Sequence, residues 1–480
     1  EKGCVLLLVG AGNSGAFSKG TTTGTCRFCV SKGCAFTAQA PINKNIESNN
    51  VFIFSNFANY FIAIIVPKCC CIQIILYLCP NNISFLFMKN ITLFVALSSF
   101  FFATAQDDLI KSVAGNHSNN AGFKFTTVIN LERTDVKDQG SSGTCWSYAG
   151  ASFLESEMSR MGKKPIDLAE IYTARNCYIE KAKQYVRMHG YLDYGQGGEL
   201  HDVINMYAKY GAVPQYVYTG LQYGSTRNDF GELHAILKGF LEGMVKGNQG
   251  KKALTPNWVA AFTSTIDSYL GAVPESFMYD GKKYTPQSFA KERVGINPDD
   301  YIEMVSYNDQ PLYKNTFMAV PDNWSYDHAY NVAMTDLTKT IDNALKKGYT
   351  IAWAADVSER YFSWKNGVAF VPEKEVTEMS YEEARDLFNV PPTAERRITP
   401  EMRQRDFDNY QTTDDHAMHI VGLAKDQNGR EYYMVKNSWG VRNDYQGYLY
   451  VSKAFVEFKT TAIMLHKGGV PAEIIKNWSK

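Results

Sequence analysis

Residues 137–149 read Lys137-Asp138-Gln139-Gly140-Ser141-Ser142-Gly143-Thr144-Cys145-Trp146-Ser147-Tyr148-Ala149, a loop of glycines and serines that runs straight into an apolar period. Trp146, Ala149, Phe153, Leu154 and Met158 recur at helical spacing and Gly162 stops the run, which predicts a helix over 145–161. Cys145 then stands in the first turn. Free backbone N–H groups and the helix dipole favour an anion there, so the thiol is more readily ionised and more nucleophilic. Gln139, six residues upstream, is placed to bring a side-chain amide beside the Cys145 N–H, and those two donors would form an oxyanion hole. A lone cysteine at a helix start is more often a small packed residue, so the nucleophile reading depends on finding a base.

The base comes from a hairpin. Apolar runs over 417–424 and 431–436 flank Asp426-Gln427-Asn428-Gly429, a strong turn signal. With a two-residue turn at Asn428-Gly429, or a four-residue one, His416 falls opposite residues 439–441. An imidazole, the carboxamide of Asn437 to orient it and the indole of Trp439 to shield their hydrogen bond then converge. His419 is the rival base, but three residues along a strand reverses the face, so the two histidines cannot share a cleft. His416 is the better choice, which leaves His419 as a packed or surface residue. His117, His189, His201, His234, His328 and His466 show no metal-ligand spacing, and neither a metal nor another cofactor is expected.

Working outward, 128–131 reads as a short strand, and further helices are expected over 168–183 with Asp167 as cap, 199–210 closed by Gly211, 230–245, 256–270 and 337–347. An apolar strand follows over 350–356. The order predicts an α+β chain: a helical half with the nucleophile (106–222), a mainly helical insertion (223–340) and a β-rich half carrying His416 and Asn437 (341–480).

Composition narrows the partners. The 480 residues carry 49 basic and 49 acidic side chains, which gives no electrostatic case for nucleic acid or a polybasic membrane surface. Eight of ten cysteines precede Met88, the first methionine. Lys89, an apolar run over 91–102 and Ala103-Thr104-Ala105 then form a signal peptide, which predicts translation from Met88 and an exported chain beginning at Gln106. Residues 1–87 read as upstream sequence in frame. If they are instead a genuine extension, the apolar stretches 51–66 and 72–78 become membrane-associated candidates, and neither the Gly-rich Val9–Gly15 nor the pair Cys26/Cys29 has a supporting context. After Gln106 only Cys145 and Cys177 remain, so disulfides do not hold the fold, and Cys177 lies mid-helix as a packed residue. No membrane insertion of the mature chain is expected.

Gln139-Gly140-Ser141-Ser142-Gly143-Thr144-Cys145-Trp146-Ser147, Asp415-His416-Ala417 and Lys436-Asn437-Ser438-Trp439-Gly440 together resemble the papain-like cysteine peptidases. The resemblance implies a two-domain fold, helical left and antiparallel β right, with Gln139 in the oxyanion hole, Cys145 the nucleophile, His416 the general base and acid, and Asn437 its partner. Gly197 and Gly198 are similar to the glycine pair of the substrate cleft, and Trp439 is assigned with them. His416 lies 271 positions beyond Cys145, against about 130–150 in papain-like enzymes, so more than a hundred residues are inserted. Ser142 stands where papain has a disulfide cysteine. Tyr330-Asn331-Val332 and the segment from Lys346-Lys347-Gly348 to Asp356-Val357 resemble the bleomycin hydrolase and aminopeptidase C group. That group implies a thiol aminopeptidase acting on peptides, often a homo-hexamer around a central cavity, with its C-terminal tail in the cleft. Its members are mainly cytoplasmic, and the tail Val470–Lys480 departs from theirs. Endopeptidase action, transglutaminase-like acyl transfer and inactive peptide binding are the competing readings.

Overall fold

The computed structural model describes residues 105–248 and 253–478, with side chains from Leu109 onward, and the backbone of two hairpins: Cys26–Cys29 with Ala35–Ala38, and Val51–Asn56 with Asn59–Ile64. The chain divides into two units, Glu1–Leu97 and Ser98–Lys480. Residues 88–104 of the signal segment and the Gly-rich Val9–Gly15 lie outside the described residues. No helix among the described residues is long and apolar enough to cross a membrane.

In the second unit the apolar periods become helices α1 (Cys145–Arg160), α2 (Glu170–Arg187), α3 (Leu200–Tyr210), α4 (Gly231–Gly247) and α5 (Asn257–Leu270). Asp167 does not cap α2: Ala169 stands at the N-cap without a side-chain bond, and Asp167 pairs with Lys137 instead. Gly211, with φ +79°, closes α3 as expected. These helices share one core, in which Phe153, Leu154 and Met158 of α1 meet Val203 and Met206 of α3 and Ile171 and Tyr178 of α2.

The helices lie against a mixed sheet. Its strands are β1 (Phe125–Asn130), β2 (Tyr301–Val305), β3 (Asn315–Phe317), β4 (His328–Asn331), β5 (Ile351–Ala355), β6 (Phe362–Ser363), β7 (Val368–Ala369), β8 (His416–Asp426), β9 (Glu431–Lys436), β10 (Tyr448–Ser452) and β11 (Thr460–His466). They run in the order β6-β7-β10-β9-β8-β5-β11-β2-β4-β3, and β1 pairs with β8 beyond the end of β5. Only β7/β10 and β2/β4 are parallel pairs among them. Alternation on β5 sorts the two faces: Ala352 and Ala354 face the helices, while Ile351, Trp353 and Ala355 enter a second core with Met418 and Ile420. Small side chains on the helical face let α1 approach the sheet closely.

The boundaries of the halves differ from the sequence reading. Strands β2, β3 and β4 fall inside the segment read as a mainly helical insertion, yet they extend the sheet beyond β11. β2 is buried at all five positions, so it shows no period-2 signal, and β3 and β4 are only three and four residues long. The helical half likewise lends β1 to the sheet.

Arg403 ties this extension down. Its buried guanidinium donates to the carbonyls of Ser306, Glu457, Phe458 and Thr460, which joins the end of β2 to the entry of β11. Arg403→Lys is expected to lower the unfolding free energy by about 2 kcal/mol or more, because an ammonium cannot span four carbonyls held by a planar fork. Urea unfolding followed by tryptophan fluorescence measures it.

Candidate active site

The nucleophile loop is held from three sides. Gln139 N–H donates to Ser438 O (2.8 Å) and Gly440 N–H to Lys137 O (3.1 Å), with an antiparallel bridge between Asp138 and Trp439. Gly140 takes φ +66°, and a Cβ there would lie 2.4 Å from Asn228 O, so only glycine lets the loop pass the α4 entry. Gly143 N–H donates to Gln196 Oε1 (2.8 Å), and Trp146 Nε1 to Gln196 O (3.2 Å). Gln196 went unnoticed in the sequence, where its only signal is its place between Gly195 and Gly197.

Within the loop, Gln139 Nε2 donates to Ser142 O (2.7 Å) and its Oε1 accepts from Ser438 Oγ (2.5 Å). The amide carries two N–H groups, so one remains uncommitted among the described residues. Cys145 is the first residue of α1 and is buried, and the backbone N–H groups of Ala417 and Trp146 favour its thiolate. Ala417 follows His416 directly, which brings the thiol to the start of β8.

The hairpin carrying His416 turns through three residues, Gln427-Asn428-Gly429, rather than two or four. Asp426 N–H bonds to Arg430 O (2.9 Å), Asp426 Oδ1 accepts from Asn428 and Arg430 N–H (both 2.9 Å), and Gly429 takes φ +83°. A bulge between Ile420 and Gly422 then shifts the pairing, so that His419 opposes Lys436 and His416 falls level with Trp439. His416 Nε2 bonds to Asn437 Oδ1 (2.7 Å), while Nδ1 has no partner among the described residues. Since Asn437 Oδ1 accepts, the imidazole proton sits on Nε2 and leaves Nδ1 free to take another. The Trp439 ring lies 4.5 Å from the imidazole and is backed by Trp364 and Phe362. It is only 5% exposed, so it covers the His416–Asn437 bond and offers little surface to a substrate. His419 faces the opposite way, bonded to Ser152 Oγ on α1 (2.9 Å).

Burial pushes the Cys145 thiol up to about 12, opposed by the Ala417 N–H. Burial also lowers His416 to about 4, opposed by its bond to Asn437. Each charge alone is disfavoured, but moving the thiol proton to the imidazole creates both together, each the counter-ion of the other. The helix N-terminus and Asn437 bias that transfer in the same direction.

Gly198 backs onto the Trp146 ring, and Gly197 lies against the carboxylate of Asp322, a residue the sequence reading passed over together with Glu199 and Asp414. Cys177 is fully buried in α2 and, like Cys145, is in no disulfide. The carboxylates of Glu155, Asp167 and Glu170 converge as a cation site would, but the Lys137 ammonium already sits among them, 2.5 Å from Glu170. The described tail, which departs from the family's in sequence, forms helix α6 (Ala472–Trp478), with Ile474 buried in the second core and Trp478 stacked on Tyr330 at 4.4 Å.

Comparison with known proteins agrees with this layout. The Peptidase C1-like family matches residues 268–480, the part holding His416 and Asn437. The chain is 23% identical to aminopeptidase W of Lactobacillus delbrueckii subsp. lactis over 389 residues, covering 73% of this chain and 85% of the relative. It is 22% identical to aminopeptidase C of Streptococcus thermophilus over 412 residues, covering 77% and 88%. The crystal structure of pepw from Lactobacillus rhamnosis superposes with a TM-score of 0.58 at 20% identity, covering 82% of this chain and 91% of that one.

Removing the Asn437 carbonyl takes away the one hydrogen bond that raises the basicity of His416. Asn437→Ala should therefore slow iodoacetamide alkylation of Cys145 at neutral pH by about tenfold, the worth of one such bond. An unchanged alkylation rate would show that Asn437 does not support the pair.

Proposed function

We infer that this chain, a papain-like cysteine peptidase of the aminopeptidase C group, is a thiol aminopeptidase that removes residues from the N-termini of peptides. The observation that carries the reading is the junction of the two halves, where two backbone hydrogen bonds join the loop before Cys145 to the loop after β9 while His416 is bonded to Asn437. The kinship with aminopeptidases W and C over most of their length supports the substrate class.

In the proposed cycle His416 Nδ1 takes the thiol proton and the Cys145 thiolate attacks the carbonyl of the first peptide bond. The oxyanion is met by the Cys145 N–H and the uncommitted N–H of Gln139. His416 then gives its proton to the departing amine, leaving an acyl-enzyme, and removes a proton from the water that hydrolyses it. Trp439 keeps bulk water from the His416–Asn437 bond.

Export is part of the proposal and rests on the segment from Met88 to Ala105. The helix Ala105–Ala114 buries Leu109 and Val113 in the second core, so a mature chain starting at Gln106 would keep that packing. N-terminal sequencing of the protein recovered from its native source should begin at Gln106, and a start upstream of Met88 would sink the export reading. Assembly into six copies, implied by the resemblance, would appear as a sixfold monomer mass in sedimentation.

Peptides with free N-termini should be shortened one residue at a time, and the same peptides blocked at the N-terminus should resist. Cys145→Ala should reduce turnover by at least about 10³-fold. Mass spectrometry of the product ladder decides: internal cuts in blocked peptides would refute exopeptidase action, and residual activity in Cys145→Ala would refute the nucleophile.

A further inference from the structure

We propose that Glu199, Asp322 and Asp414 form an anionic subsite beside Cys145 that binds the free α-ammonium group of the peptide substrate. The proposal rests on the aminopeptidase reading above and supplies its recognition element.

In an aminopeptidase the α-nitrogen belongs to the residue whose carbonyl is attacked, so it lies about 2.5 Å from that carbon. The carbon in turn lies about 3–3.5 Å from the attacking sulfur. Whatever recognises the ammonium must therefore stand within one hydrogen bond of a point close to Sγ. Asp322 is the candidate, because its charge acts on the Cys145 thiol. A Cβ on Gly197 would lie 1.7 Å from Asp322 Oδ2, so the carboxylate occupies the space that the missing side chain leaves open. Gly197 adjoins Gln196, which contacts both Gly143 and Trp146 around the nucleophile. Asp414 stands two residues before His416, and the charges of Asp414 and Asp322 both act on the Cys145 sulfur.

The site also has unmet hydrogen-bonding capacity. Glu199 is only 1% exposed, and its Oε1 has no donor among the described residues. Asp414 is half-buried, its Oδ2 likewise has no donor among the described residues, and its carboxyl lies against that of Glu199. Two carboxyls in that relation are stabilised by an incoming cation. Neutralisation within the cluster is partial. Lys181 pairs with Asp322 at 4.0 Å from Oδ1 while its ammonium also donates to Gly197 O (2.8 Å) and Gly195 O (3.4 Å). His201 is paired with Glu303 (2.6 Å), and Asp202 and Asp193 add further negative charge. Asp322 opens to solvent, with 23% of its side chain exposed.

The subsite is rigid. Asn323 Nδ2 donates to Met318 O (2.8 Å) and Asp327 O (2.9 Å), Trp324 N–H donates to Asp322 O (2.8 Å), and Trp324 Nε1 donates to Asp202 Oδ2 (2.9 Å). Asp202 Oδ2 also accepts from Glu199 N–H (2.9 Å), so the inserted loop and the start of α3 are fastened through one carboxylate. The described tail, with Trp478 on Tyr330, is docked four strands from β8.

The test uses the purified full chain and a set of aminoacyl 7-amino-4-methylcoumarin amides, each with a free and with an acetylated amine. Iodoacetamide titration of Cys145 counts the folded enzyme in each variant. We expect Asp322→Asn, and independently Glu199→Gln, to reduce the free-to-acetylated ratio of kcat/KM by about 10- to 100-fold. An unchanged ratio in both titratable variants overturns the subsite and leaves the aminopeptidase reading standing. A wild-type ratio near one overturns that reading, and the subsite with it. A loss confined to acetylated dipeptide amides with Lys or Arg ahead of the cleaved residue also overturns the proposal, because the cluster would then bind a basic side chain.

Discussion

Two backbone hydrogen bonds, Gln139 N–H to Ser438 O and Gly440 N–H to Lys137 O, join the loop before the nucleophile to the loop after β9. The cysteine belongs to a helix and the histidine to a strand 271 positions later, so neither element alone fixes their separation. The two bonds, the Asp138/Trp439 bridge between them and the Ser438 hydroxyl on Gln139 do fix it. This arrangement also explains the glycines: Gly140 lets the loop turn beneath Asn228, and Gly440 adopts φ +73° beside Asp138. The remaining parts of the centre are mounted on this seam.

The centre was legible in the sequence because each part has a local signature. A helix period beginning at Cys145, an Asn-Gly turn and a strand of known parity suffice to bring His416, Asn437 and Trp439 together and to turn His419 away. The three-residue turn was not read in advance, since it depends on Asp426 accepting from Asn428 and Arg430, and the bulge that compensates for it leaves no mark on the apolar pattern. Strands β2 to β4 were hidden for a related reason: one is buried on both faces and the others are too short for a period. Asp167 was misread as a cap because a helix-end aspartate looks the same whether it bonds the backbone or, as here, a lysine thirty residues earlier.

The acidic residues were the least visible part. Glu199 reads as the first residue of a helix and Asp322 as a loop residue, and nothing in either neighbourhood hints that Trp324 anchors the second loop to Asp202 of α3. They acquire meaning only where the insertion meets the cleft. The long segment between nucleophile and base then has a specific role, placing a carboxylate against Gly197 and extending the sheet that supports it.

In the proposed binding mode a peptide sets its first carbonyl on the Cys145 helix and its free amine on the inserted acid. The decisive measurement is a crystal structure of Cys145→Ala with an unblocked peptide. It should show the carbonyl oxygen against Gln139 and the residue-145 N–H, with the α-ammonium beside Asp322. A peptide running through the cleft past Gly197, with further residues where the amine should end, would contradict it.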